Sequence, residues 1–225
     1  MDRDMPPLVL DIDGTLTDAA GRLDPRVPRR LQDWNSPVIL ATGKAFPYPV
    51  SLCHFMGIKQ NVIAENGGVV LADQKVKYEG DRKRVTTAIE EFEQRGGTLG
   101  WGSFDDVNKW RETEIAVSLS ADESLLRDVA SAFDLEVVDT GFAYHIKSPE
   151  VSKGNAVETV STILDIDLDS TVAIGDSEND VSTFAVTGTS YAVHNADQAA
   201  TEAADNQLTD SYFDGTASVL DKYST

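Results

Sequence analysis

Short apolar runs that stop at polar or glycine-rich turns recur along the chain, and stretches with helical spacing separate them. Leu8-Val9-Leu10 reads as a buried strand that halts at Asp11-Ile12-Asp13-Gly14. Asp24-Pro25 opens a helix signal, since proline suits a first turn and Val27, Leu31 and Trp34 follow at helical spacing. Residues 37–41 form a second apolar strand ending in Thr42-Gly43. A helix over 48–56 then leads to a third strand over 61–64, closed by Glu65-Asn66-Gly67-Gly68. Asn-Gly is a strong turn signal, and 69–71 with 76–78 suggests a hairpin beyond it. Strand and helix alternate up to this point, which predicts an α/β fold with a mainly parallel sheet.

The texture changes from about residue 79. An amphipathic helix over 82–95 carries Val85, Ala88, Ile89 and Phe92 on one side and ends at Gly96-Gly97. An aromatic loop (Trp101, Phe104, Trp110), a strand over 115–119, a helix opened by Asp122, and strands over 135–138 and 142–146 follow. This α+β unit, residues 79–150, reads as an insert laid over an alternating domain made of 1–78 and 151–225. Alternation resumes where Ser152 can cap a helix with Lys153 in its first turn. The next strand, over 171–174, runs into Gly175-Asp176-Ser177-Glu178-Asn179-Asp180, and Tyr191-Ala192-Val193, Gln207-Leu208 and a helix over 213–223 finish the chain.

Composition narrows the function classes. With 225 residues, 41% of them apolar, the chain can bury a real core, and no window approaches a membrane span. The N-terminus lacks a basic region followed by an apolar run, so the expectation is a cytoplasmic protein with no membrane partner. A net charge of −19 without any basic cluster argues against nucleic acid as a partner. Because self-repulsion of that size is screened at high ionic strength, the composition also predicts a protein of a high-salt cytoplasm. The single Cys53, set among Leu52, His54 and Phe55, reads as a small buried hydrophobe, and the sequence leaves monomer and homodimer equally open.

Ligands of open α/β sheets bind beyond the carboxyl ends of the strands, where Asp11, Asp13, Thr42, Asp176 and Asp180 all fall. A threonine and backbone N–H groups at Thr42-Gly43 could hold a phosphate oxygen. Several carboxylates at one point need a cation, and hard oxygen ligands favour Mg²⁺. A calcium-loop reading fails, because the sixth positions after Asp11, Asp165 and Asp176 begin each run are Leu16, Ser170 and Val181 rather than glycine.

Asp11-x-Asp13-Gly-Thr-Leu-Thr, Thr42-Gly43, Lys153-Gly154 and Gly-Asp176-x-x-Asn-Asp180, in this order with an insert between the second and third, resemble the haloacid dehalogenase-like (HAD) phosphatases. The insert follows Glu65-Asn66-Gly67-Gly68 and so resembles a C2-type cap on a Rossmann-like core. The resemblance implies Asp11 as a nucleophile that forms an aspartyl-phosphate, and Asp13 as the acid and base. It further implies Thr42, Gly43 and Lys153 as phosphoryl ligands, with Asp11, Asp13, Asp176 and Asp180 at the Mg²⁺, Asp13 through its backbone carbonyl. Lys44 departs from the Arg or Asn that many relatives carry after Thr-Gly.

The cap carries the substrate question. Asn108-Lys109-Trp110-Arg111-Glu112, with His145 at the end of the insert, is similar to the archaeal-type phosphoglycolate phosphatases, which implies a small phosphorylated metabolite as partner. Arg111 could grip a substrate carboxylate bidentately, or be a surface arginine beside a core Trp110. His145, alternating with Tyr144 and Ile146, reads as a structural histidine at the cap junction. Sugar-phosphate hydrolysis, phosphotransfer, and a non-catalytic cation site are the competing readings.

Overall fold

A computed structural model of the chain describes residues 5–224. The first half runs β1 (Leu8–Asp11), α1 (Val27–Gln32), β2 (Val38–Ala41), α2 (Pro47–Met56), β3 (Val62–Ala64), β4 (Val69–Ala72) and β5 (Lys75–Tyr78). The middle holds α3 (Arg82–Gln94), β6 (Ile115–Ser118), α4 (Glu123–Ala132), β7 (Glu136–Asp139) and β8 (Ala143–Lys147). The chain then returns through α5 (Lys153–Leu164), β9 (Val172–Gly175), α6 (Val181–Phe184), β10 (Thr189–Ala192), α7 (Gln198–Ala203), β11 (Asn206–Gln207) and α8 (Tyr212–Ser224).

The main sheet has the order β11-β10-β9-β1-β2-β3-β4-β5. All its pairs are parallel up to β3, and the β4–β5 hairpin adds two antiparallel strands at the edge. Alternate residues of one strand feed opposite cores, which is why the strands read as unbroken apolar runs. Leu8 and Leu10 pack with Leu31 of α1, Met56 of α2 and Phe213 of α8, whereas Val9 packs with Ala156, Val157 and Val160 of α5. Each fully buried Val, Leu, Met or Phe among these contributes roughly 1.5–3 kcal/mol. Cys53 lies in the first of these cores as expected, and burial pushes its thiol up to about 12.

The middle elements form their own three-stranded antiparallel sheet, β6-β8-β7, with α3 and α4 packed on it. Val85, Ile89 and Phe92 of α3 meet Leu126 and Val129 of α4 and Ile115, Val117 and Ile146 of the sheet. The start and end of this unit meet, since Asp81 N–H donates to Ser148 Oγ at 3.1 Å. Asp81, Asp122 and Ser152 each cap a helix by accepting an N–H three residues on, a contribution of about 1 kcal/mol apiece.

Boundaries differ from the sequence pattern in three places. The first helix begins at Val27 with Pro28 in its opening turn, because Asp24 is spent accepting Arg26 N–H at 2.9 Å in a turn. Trp34 lies beyond that helix and donates Nε1–H to the Pro6 carbonyl at 2.9 Å. Phe142 lies just before β8 and stacks on Trp101, with ring centroids 5.7 Å apart. Among the described residues no helix is long and apolar enough to cross a membrane.

Candidate active site

β1 lies between β2 and β9, with Asp11 level with Ala41 and Leu10 level with Ile174. The register alone therefore sets Asp11 beside the exits that lead to Thr42-Gly43 and to Gly175-Asp176. Lys153, the first residue of α5, is fully buried and closes the cluster from the other face. Its Nζ donates to Asp11 Oδ1 at 2.7 Å, Asp180 Oδ1 at 2.7 Å and Asn179 Oδ1 at 2.9 Å, which uses all three ammonium protons. Asp180 is itself fixed, since its Oδ2 accepts the N–H groups of Asp176 (3.0 Å) and Ser177 (3.2 Å).

One ammonium does not neutralise three acids. Burial, with Asp180 and Asp176 adding to it, holds the Asp11 carboxyl well above the ordinary range even though Lys153 pulls the other way. Burial and then Asp180 push Asp176 up to about 7. Burial by itself would lower Lys153, but Asp11 and Asp180 outweigh it and keep the ammonium charged above the usual lysine range.

Asp11, Asp176 and Asp180 offer carboxylate oxygens that all lie within 4.8 Å of one another. Asp176 Oδ1 is buried with no hydrogen-bond partner among the described residues. An orphaned acceptor inside an all-oxygen, net-negative donor set fits a hard divalent cation, so these residues could hold a metal ion. Close approach here depends on Gly14, whose φ of +79° turns the chain after Asp13 and whose missing Cβ leaves room for the Asp176 carboxylate.

The other sequence-predicted residues fall around this centre. The Asp13 carboxylate is not in the buried cluster; it is half-exposed, with Oδ1 3.1 Å from Lys44 Nζ. Thr42 is buried, and its Oγ1 accepts Lys44 N–H at 3.1 Å, shaping the turn at Gly43. Arg111 is buried and Trp110 half-exposed, the reverse of a surface arginine beside a core tryptophan. Its guanidinium pairs with Glu114 and donates to the Gly43 carbonyl at 2.9 Å, while its Nε has no partner among the described residues. His145 is buried at the junction between the two sheets, its Nδ1 2.7 Å from Glu114 Oε1.

Four residues escaped the sequence reading. Glu65 is buried and accepts N–H groups of Glu112 (2.9 Å) and Thr113 (2.8 Å) and the Thr113 hydroxyl (2.8 Å). Burial, followed by the nearby Glu114, raises its carboxyl above the ordinary range. Asn66 donates to Glu114 Oε2 at 3.1 Å and accepts from Asn179 Nδ2 at 3.1 Å. Burial would raise Glu114, but His145 and Arg111 bring it down to about 2. Glu65-Asn66 carried only a turn signal, and Asn179 was overshadowed by the aspartates flanking it. Nothing local marked Glu114.

Comparison with known proteins gives the family. The sequence profile of the haloacid dehalogenase-like hydrolases matches residues 8–108 and 107–220. A protein of Halorubrum lacusprofundi named phosphoglycolate phosphatase is 63% identical over 218 residues, covering 96% of both chains. One of the same name from Halobacterium salinarum is 46% identical over 222 residues, covering 99% of both. A solved protein of Thermoplasma acidophilum superposes with a TM-score of 0.84 at 21% identity, over 97% of this chain and 98% of that one. A haloacid dehalogenase-like hydrolase from Bacteroides thetaiotaomicron does so with a TM-score of 0.76 at 20% identity, over 97% and 99%. With a profile that spans nearly the whole chain and relatives this similar over their full length, the chain belongs to the haloacid dehalogenase-like hydrolases.

Proposed function

We infer that the protein is a Mg²⁺-dependent phosphomonoester hydrolase whose substrate is 2-phosphoglycolate. The observation that carries the reading is the contact of Lys153 with Asp11 and Asp180, which sets a buried carboxylate, a cation and a metal-ligand set around one point. The names of the two relatives support the substrate.

In this reading Asp11 attacks phosphorus and the phosphoester splits into two easier steps through an aspartyl-phosphate. Lys153, already charged and held by Asp180 and Asn179, exchanges its Asp11 contact for the phosphoryl oxygens as Asp11 attacks phosphorus. The turn at Thr42 offers the N–H of Gly43 to a further phosphoryl oxygen. Asp13, half-exposed at the mouth, has access to solvent and can give a proton to the leaving alkoxide and take one from the attacking water. When bound at Asp11, Asp176 and Asp180, with the Asp13 carbonyl as a further ligand, Mg²⁺ supplies charge neutralisation between carboxylates and phosphate. The Nε of Arg111, buried and unpartnered, is the group that receives a substrate carboxylate. Residues 79–150 serve as the C2-type cap on a core of 1–78 and 151–225, a division supported by the separate apolar core of the insert. The partner is thus a small phosphorylated metabolite.

Phosphate release from a panel of 2-phosphoglycolate, hexose phosphates and p-nitrophenyl phosphate tests this with and without Mg²⁺. Asp11→Asn should abolish turnover with the fold intact. Arg111→Ala should raise KM for 2-phosphoglycolate by about tenfold or more, the worth of a charge-assisted hydrogen bond, and raise it less for p-nitrophenyl phosphate, which lacks the carboxylate. A hexose phosphate as the best substrate would overturn the substrate assignment alone.

A further inference from the structure

An unbroken line of hydrogen bonds joins the insert to the reaction centre. Glu114 Oε2 accepts from Asn66 Nδ2 (3.1 Å), Asn66 Oδ1 accepts from Asn179 Nδ2 (3.1 Å), and Asn179 Oδ1 accepts from Lys153 Nζ (2.9 Å). Glu114 and Asn66 are buried, and Asn179 is half-buried between Asn66 and Lys153.

The polarity of this line is forced at both ends. An ammonium can only donate, so Asn179 must show Lys153 its oxygen, and Ser177 Oγ donates to that same oxygen at 3.0 Å. Asn179 must then give its NH₂ to Asn66, and Asn66 must give its own NH₂ onward. The residue at the far end therefore has to accept there. Its other oxygen, Oε1, faces Arg111, which can only donate, and lies beside His145 Nδ1. Only a side chain that accepts at both ends satisfies all of them, and that is an ionised glutamate. A glutamine would set its NH₂ against an N–H on one side or the other, whichever way it turned.

We propose that Glu114 is a positioning residue that orients Lys153 through the side-chain amides of Asn66 and Asn179, so that the seating of the insert is read out at the phosphoryl-binding ammonium. The inference rests on the hydrolase reading above. It assigns a role in phosphoryl binding to a residue that touches neither the cation ligands nor the substrate.

The test is a double-mutant cycle read on inorganic phosphate, by calorimetry in Mg²⁺, and on kcat and KM for p-nitrophenyl phosphate, which has no carboxylate for Arg111 to hold. Glu114→Gln and Asn179→Ala should each weaken phosphate binding by about 10- to 100-fold, the range for a lost hydrogen bond to a charged group. The double variant should be no worse than the more severe single one. Asn66→Ala cuts the line while leaving the Glu114 pairs with Arg111 and His145 in place, and it should reproduce the loss in phosphate binding in a chain that still folds, though at a lower melting temperature because Asn66 is buried at a φ of +55°. Losses that multiply in the double variant, an effect of Glu114→Gln confined to 2-phosphoglycolate, or an Asn66→Ala protein that binds phosphate normally would each overturn the relay. A wild-type chain that releases phosphate from neither ester refutes the hydrolase reading itself, whereas wild-type turnover with an unaltered Asn66→Ala protein refutes the relay alone.

Discussion

Asp176 and Lys153 meet the cost of buried charge in opposite ways. Lys153 has two carboxylates against it and stays ionised, while Asp176 has an oxygen with no donor among the described residues and is held at about 7. The unfolded value of an aspartate is about 3.9, so between there and about 7 the metal-free folded chain binds the extra proton. Stability from this group is thus complete at low pH and is lost as pH rises through 7. A bound cation removes that loss. The rise in melting temperature on adding Mg²⁺ should therefore be larger at pH 8 than at pH 5.5, and an equal rise at both would count against Asp176 as a ligand. Asp11, Asp176 and Asp180 were legible in the sequence because each follows a strand exit, where the fold class predicts convergence, whereas Lys153 was marked only by the resemblance to a known family. Glu65 and Glu114 were not, since their partners lie in distant segments and burial of a carboxylate leaves no local mark.

At the scale of elements, strands and helices followed from apolar period and caps, and the misses were at ends where a side chain found a turn instead of a helix, as at Asp24. The seam between the two sheets was illegible for the same reason as its residues. It is fastened by Glu65 after β3, which gathers the Glu112 and Thr113 amides and the Thr113 hydroxyl, and by Arg111 on the Gly43 carbonyl. Glu65→Ala strands those donors, each costing roughly 1–3 kcal/mol if left unpaired. We expect a loss of about 3 kcal/mol in urea unfolding together with faster hydrogen exchange at the Glu112 and Thr113 amides. Unchanged exchange there would show that the seam does not depend on Glu65.

For the whole molecule the dominant quantity is the net charge of −19. Most ion pairs lie at the surface, such as Arg30 with Asp221 and Arg127 with Glu123, and exposed pairs contribute only about 0–1 kcal/mol each. Repulsion among the excess carboxylates weakens as the Debye length shrinks from about 10 Å at 0.1 M to about 3 Å at 1 M salt. The melting temperature should climb steadily from about 0.1 M to about 1 M KCl, and a flat or falling curve from scanning calorimetry would contradict a destabilising surface charge.

The position of β1 also sets an order of assembly. One border of that strand is β2, its near neighbour along the chain; the other is β9, reached only after the entire insert has been made. While the chain grows, β1 keeps one open edge, and Asp11 waits there without Lys153, Asp176 or Asp180. Closing so long a loop costs little more entropy than closing a shorter one, because the penalty grows only with the logarithm of length. The mutually repelling acids thus come from distant stretches of chain and meet only through the pairing of β9 on β1.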